Sequence, residues 1–217
     1  MTKTSISILL TLLTMVIMFL VLVSCEGDDG YFDDDGSRRC DNAVTDSGSV
    51  TCGGQTYKTV KIGSQTWMAE NLNFNTNGSA CYRNNSVNCA TYGRLYNWYT
   101  ARAVCPDGWH LPSDDEWTTL TNFVGNDAGI KLKAKNGWNG TDDYDFSALP
   151  GGFGIDKDNF LFIDNDGWWW SGTHSFNMGS AVFRCIYKNS RNVGRGLANN
   201  SILYSVRCIQ TPMGTEQ

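Results

Sequence analysis

The apolar pattern divides the chain into three stretches. No charged residue stands between Ile6 and Val23, and Lys3 is the one charge ahead of Ser24. A run of that length approaches the roughly 20 apolar residues that span a bilayer. It also has the basic start and apolar middle of a secretory signal. Residues 26–46 lack apolar periodicity and are rich in Asp, Gly and Ser. Such a stretch cannot bury enough apolar surface to offset its ordering entropy, so it reads as a solvated spacer. From Ser47 onward short apolar runs alternate with turn residues, which predicts one α+β domain over residues 47–217.

Within that domain Gln55–Ile62 is β-rich. Gly63 and Ser64 interrupt it and residues 65–69 resume it, which predicts a hairpin. Residues 96–105 have helical spacing, with Leu95, Trp98, Tyr99 and Arg102 on one side. Ser113 and Glu116 have the spacing of a capping box, and Asp114 and Asp115 add negative charge at the positive end of the helix. Trp117, Leu120 and Val124 then form its inward stripe. Residues 160–163 look like a buried strand and residues 201–209 like a final one. At least two of Trp168, Trp169 and Trp170 are expected to face inward, because strand side chains alternate.

Charge sharpens the division. Of 22 acids and 17 bases, eight acids and two bases fall within residues 26–46, and 14 of each lie from Ser47 onward. The net −5 therefore belongs to the spacer, and the domain is neutral. The acidic balance of the chain argues against a nucleic-acid partner, which needs a basic surface to displace phosphate counterions. The aromatic content, 12% of the chain, is ample for a core.

Leu22-Val23-Ser24-Cys25 resembles a bacterial lipobox, in which the Cys becomes the acylated first residue. That resemblance implies a signal peptide over residues 1–24, lipidation at Cys25, an acidic disordered tether over residues 25–46 and membrane attachment through the lipid. The following Glu26-Gly27-Asp28-Asp29 resembles the acidic export signal of surface lipoproteins, which implies an outer-membrane, outward-facing location. Seven further cysteines remain: Cys40, Cys52, Cys81, Cys89, Cys105, Cys185 and Cys208. An exported chain lives where disulfides persist. Cys40 with Cys52, and Cys81 with Cys89, are near enough in sequence to close small loops, though spacing alone proves neither pair. Cys185 sits in a strand-like run and is the candidate for the unpaired thiol, which is expected to be a buried, small apolar residue.

Other chemistry has bland explanations. Asp33, Asp34 and Asp35 lack the alternating ligand spacing of a calcium loop. Asp156, Asp158, Asp164 and Asp166 are accounted for by Asx turns. No metal site and no cofactor are expected. Gly151-Gly152-Phe153-Gly154 lacks the Gly-Lys-Ser/Thr ending of a nucleotide loop. Ser171 or Cys185 with His174 as base would need a third group to orient the imidazole, and none is evident, so no catalytic residue is assigned.

Three longer stretches carry a family resemblance: Val60-Lys61-Ile62-Gly63-Ser64-Gln65-Thr66-Trp67-Met68-Ala69-Glu70-Asn71-Leu72, Tyr92-Gly93-Arg94-Leu95-Tyr96-Asn97-Trp98, and Cys105-Pro106-Asp107-Gly108-Trp109-His110-Leu111-Pro112-Ser113. Ala148-Leu149-Pro150-Gly151-Gly152, Trp169-Trp170-Ser171 and Ser205-Val206-Arg207-Cys208 follow in order. From about Thr59 to Gln210 the chain resembles the Fibrobacter succinogenes major paralogous domain, and more remotely the formylglycine-generating-enzyme type of C-type-lectin-like fold. The resemblance implies two short helices, a small twisted, mostly antiparallel sheet, long irregular loops and a Cys105–Cys208 bridge. It also implies a non-catalytic binding or adhesion domain for glycans or other surface ligands. A coat domain without a small ligand is the alternative. An oxidase of the formylglycine-generating kind is a poorer fit, because no second Cys lies near Cys185. The expected ligand-binding residues are Trp168, whose face could stack on a sugar, and His174, Asn189, Arg191, Asn192 and Arg195 in the polar segment before the last strand.

Overall fold

The computed structural model describes Cys40, residues 44–176 and residues 179–212. The signal-peptide and Cys25 readings and most of the tether lie outside the described residues. Among the described residues the chain forms fourteen strands, five α-helices and a 3-10 turn at Tyr82–Asn84.

Order begins ahead of the expected boundary at Ser47. Strand β1 (Val44–Asp46) pairs antiparallel with β2 (Ser49–Cys52), and Cys40 is buried and bonded to Cys52. A disulfide and a hairpin therefore hold the last residues assigned to the tether. Strand β3 (Gln55–Ile62) is shared between two partners. Its first half pairs with β2 and its second half with β4 (Gln65–Met68), as the hairpin pattern predicted.

Two six-stranded sheets replace the single small sheet that was expected. One runs β1-β2-β3-β4-β14-β7, where β7 is Trp109–His110 and β14 is Ile209–Gln210. The other runs β12-β11-β10-β13-β6-β5. Here β5 is Ser79–Ala80, β6 Leu95–Tyr96, β10 Gly167–His174, β11 Ser180–Ile186, β12 Gly194–Asn199 and β13 Tyr204–Ser205. A separate hairpin joins β8 (Phe153–Gly154) to β9 (Phe160–Leu161). Pairing is antiparallel except at β10–β13, where Trp169 faces Ser205 in parallel. The run at 201–209 is thus two short strands in different sheets, and Val206, Arg207 and Cys208 carry the chain from one to the other. Strands of two residues are too short to show a period, which is why the sequence pattern fused them.

Five helices stand where two were expected: α1 (Ser86–Tyr92), α2 (Trp98–Ala103), α3 (Asp114–Val124), α4 (Ala128–Leu132) and α5 (Lys135–Trp138). The helix expected over residues 96–105 is confined to α2, because the Asn97 side chain accepts from Thr100 N–H and caps it there. Leu95 and Tyr96 are strand, and Tyr99 is exposed. Helix α3 matches its reading in full. Ser113 and Glu116 close a reciprocal capping box, and Trp117, Leu120 and Val124 are buried.

Three disulfides pair Cys40 with Cys52, Cys81 with Cys89 and Cys105 with Cys208; Cys185 is free and buried. The Cys105–Cys208 bridge ties the segment after α2 to the crossing between the sheets. Two large apolar clusters form the core, and β10 contributes to both. Trp168 and Trp170 belong to one, and Trp169 to the other.

Candidate ligand-binding face

The residues behind the family resemblance meet at a buried polar hub. Asn71 Oδ1 accepts from Trp169 Nε1 at 2.8 Å and from Arg207 Nη2 at 2.8 Å. Its amide nitrogen donates to the Tyr92 carbonyl at 2.9 Å. Gly93 passes so close that a Cβ there would lie 2.7 Å from that of Asn71, and its φ of +78° suits glycine. Arg207 is fully buried and donates also to the carbonyls of Met68 and Phe146. Burial pulls its pKa down to about 9, against the opposing charges of Glu70 and Asp142, so the guanidinium stays protonated at neutral pH. These motifs hold the two sheets together.

The expected binding residues separate into two places. Strands β10, β11 and β12 form an antiparallel meander, with the turn after His174 at one end and the loop 187–193 at the other. His174 is exposed, and its ring packs 5.1 Å from that of Trp98. Asn189, Arg191 and Asn192 are exposed in the loop at the far end. Arg195 lies on β12 opposite Arg184, and both bind Asp114 at the start of α3. Burial would raise the Asp114 pKa, but hydrogen bonds from Arg195 and Arg184 and their charges outweigh it and hold the carboxyl below its usual range. Asp114, read as a complement to the helix dipole, also fastens α3 to β11 and β12.

Trp168 does not offer the open face expected of it. It is 6% exposed, and all three tryptophans are buried. Phe162, 5.7 Å away between ring centroids, and Tyr187, 6.0 Å away, flank it, and Phe153 packs edge-on at 4.8 Å. Phe162 and Tyr187 are 50% and 47% exposed, and neighbouring Leu161 is 40% exposed. The run at 160–163 is therefore buried only in part. Strand β9 ends at Leu161, and Phe162 turns outward with φ +65°. That conformation is an outlier for a bulky side chain and costs on the order of 1–3 kcal/mol. The turn that follows enforces it: Asn165 and Asp166 N–H both donate to the Phe162 carbonyl, and Asp164 N–H donates to that of Pro150.

The loop beside this strip is held by its backbone. Lys133, fully buried, donates from Nζ to the carbonyls of Lys188 at 2.8 Å and Ser190 at 2.9 Å. Desolvation lowers its pKa, with Asp166 acting the other way. Asp166 Oδ1 accepts from Lys188 N–H at 2.8 Å. Gly129 N–H donates to the Arg191 carbonyl, and a side chain at 129 would strike the Arg191–Asn192 backbone within 3 Å. The Arg191 guanidinium pairs with the Asp127 carboxylate at 2.6 Å. Lys188, Asn189 and Asn192 remain exposed on this fixed frame.

Cys185 has a neighbour rather than a chemistry. Burial pushes its pKa up, which disfavours the thiolate a nucleophile requires. Its hydrogen bond with Tyr187, together with burial, pushes the phenol up to about 12. Ser171 is buried, and its Oγ accepts from Thr173 N–H. Phe162, Tyr187 and Lys133 escaped the sequence reading. Phe162 stood in an apolar run, Tyr187 in a strand-like one, and Lys133 among helix residues of ordinary polarity.

Fold and face define a disulfide-bonded α+β domain with a loop fastened through its backbone by Lys133, Gly129 and Asp166, beside the exposed rings of Phe162 and Tyr187. The chain belongs to the Fibrobacter succinogenes major domain family, whose model matches residues 60–210. No curated protein and no solved structure is matched by the chain.

Proposed function

We propose that the protein is a non-catalytic binding domain displayed on a bacterial outer surface by a lipid on Cys25. The observation that supports binding is the loop 187–193. It presents Lys188, Asn189 and Asn192 while Lys133, Gly129 and Asp166 hold its backbone and Asp127 holds the Arg191 side chain. A pre-ordered loop loses little entropy on association, so its exposed groups contribute more of their interaction energy to affinity. The C-type-lectin-like kinship belongs to the same reading. It is supported by the bridge from the segment after α2 to the last strands and by the irregular connections that carry the display face.

The test is a printed array of glycans and host-surface proteins probed with the whole chain. Lys188→Ala combined with Asn189→Ala is expected to weaken capture at least tenfold without altering thermal stability. Capture unchanged by that pair would remove the loop from the reading. The anchor has its own check. Cys25→Ser is expected to move the protein from the membrane fraction to the soluble one, and continued membrane retention would sink the lipid assignment.

A further inference from the structure

We infer that the Phe162–Trp168–Tyr187 strip is a stacking platform for a neutral carbohydrate. This rests on the binding reading above and names its ligand class. Three features of the site carry it.

The first is the clustering of the rings. Phe162 and Tyr187 each pack against Trp168, with centroids 5.7 and 6.0 Å from it, and Phe153 packs on both Trp168 and Phe162. The outer two rings keep about half their surface in water, at 50% and 47% exposure. Aromatic surface left wet on a folded domain marks a recognition site when it is contiguous. The C–H faces of a sugar stack on exposed aromatic rings such as these, while its hydroxyls need partners beside them.

The second feature is that edge. Asp164 and Asp166 lie in the turn after Phe162, and Lys188 and Asn189 follow Tyr187. Asp164 accepts from the Tyr92 hydroxyl and Asp166 from Lys188 N–H, so both carboxylates are held in place. The rim combines two carboxylates, an amide and an ammonium, so that hydrogen-bond donors and acceptors stand together. A lipid or an apolar peptide would leave these groups unpaired. A polyhydroxyl ligand satisfies them.

The third feature is the backbone of Phe162. The chain holds a bulky aromatic at φ +65° with half of its surface wet, where Asn or Gly would fit without strain. Strained positions of this kind gather at ligand contacts. Stability by itself would favour another residue here.

The strain supplies a discriminating variant. Phe162→Asn suits the left-handed backbone and removes the stacking face. The whole chain would be run through native gels containing soluble β-glucan, xylan, galactomannan or arabinogalactan, with polygalacturonate as the anionic comparison. Retardation by at least one neutral polysaccharide is expected. Phe162→Asn and Tyr187→Ala should each weaken it at least tenfold, and the melting temperature of Phe162→Asn should equal or exceed that of the parent.

Several results would overturn the inference. These are no retardation of the folded chain by any neutral polysaccharide, retention of affinity in Phe162→Asn, or a large fall in its melting temperature, which would make Phe162 a core residue. Capture of proteins alone on the array, lost with Lys188 and Asn189 but indifferent to Phe162, would end the carbohydrate assignment and leave the display loop standing. An array with no capture at all would end both.

Discussion

Removing the Cys105–Cys208 bridge by a double Ala substitution is expected to cost about 4–5 kcal/mol, the largest loss from any of the three disulfides. The bridge spans 103 residues. In the chain-entropy picture a loop of that size restricts the unfolded chain by about 4.7 kcal/mol. Cys81–Cys89 spans 8 residues, and the same relation gives about 2.5 kcal/mol. The native geometry points the same way. Cys208 lies where the chain crosses between the sheets, its carbonyl accepts from Met68 N–H, and both sulfurs sit in the core cluster that includes Trp170. Urea denaturation of the three double variants, one for each bridge, checks the ranking. Equal losses would show that loop length is not what sets the contribution.

Arg207→Met is expected to cost about 3–5 kcal/mol. The guanidinium has no ion-pair partner among the described residues. It donates twice to Asn71 Oδ1 and once each to the carbonyls of Met68 and Phe146, and it lies 4.5 Å from the Phe146 ring centroid. Met has a similar shape but leaves both buried carbonyls without a donor. Arg207→Lys should recover only part of the loss, because one ammonium cannot reproduce the planar fork. Asn71→Leu combined with Arg207→Met should cost less than the two changes added, since they remove one shared network. Denaturant midpoints of the four proteins give the test. A loss of less than about 1 kcal/mol for Arg207→Met would mean that water reaches the site and satisfies the carbonyls.

These two expectations differ in how far sequence could anticipate them. The long bridge came with the family resemblance, while cysteine spacing alone left the pairing open. The hub did not come at all. Asn71, Tyr92, Trp169 and Arg207 each stood inside a recognisable stretch, and nothing in any one stretch showed that the others meet it. The display face divided in the same way. Asn189, Arg191 and Asn192 were legible as exposed polar residues in a segment broken by turns. His174, from the same segment, went to the other end of the meander because β11 runs between them. Trp168 was noticed for its size and turned out to be the backing of a platform whose exposed rings are Phe162 and Tyr187.

Sequence by itself determined what depends on neighbours along the chain. That covers the capping box and inward stripe of α3, the β3–β4 hairpin, the alternation of the three tryptophans and the placing of the net charge ahead of the domain. Each follows from a local period or a local hydrogen bond. Only the tertiary structure decided the division of the final run between two sheets, the burial of Lys133 and Arg207, and the outward turn of Phe162. Those outcomes depend on which distant carbonyls and rings arrive at a given point. A buried cation is stable only where acceptors converge on it, and Phe162 is turned outward by the hydrogen bonds of the turn that follows it.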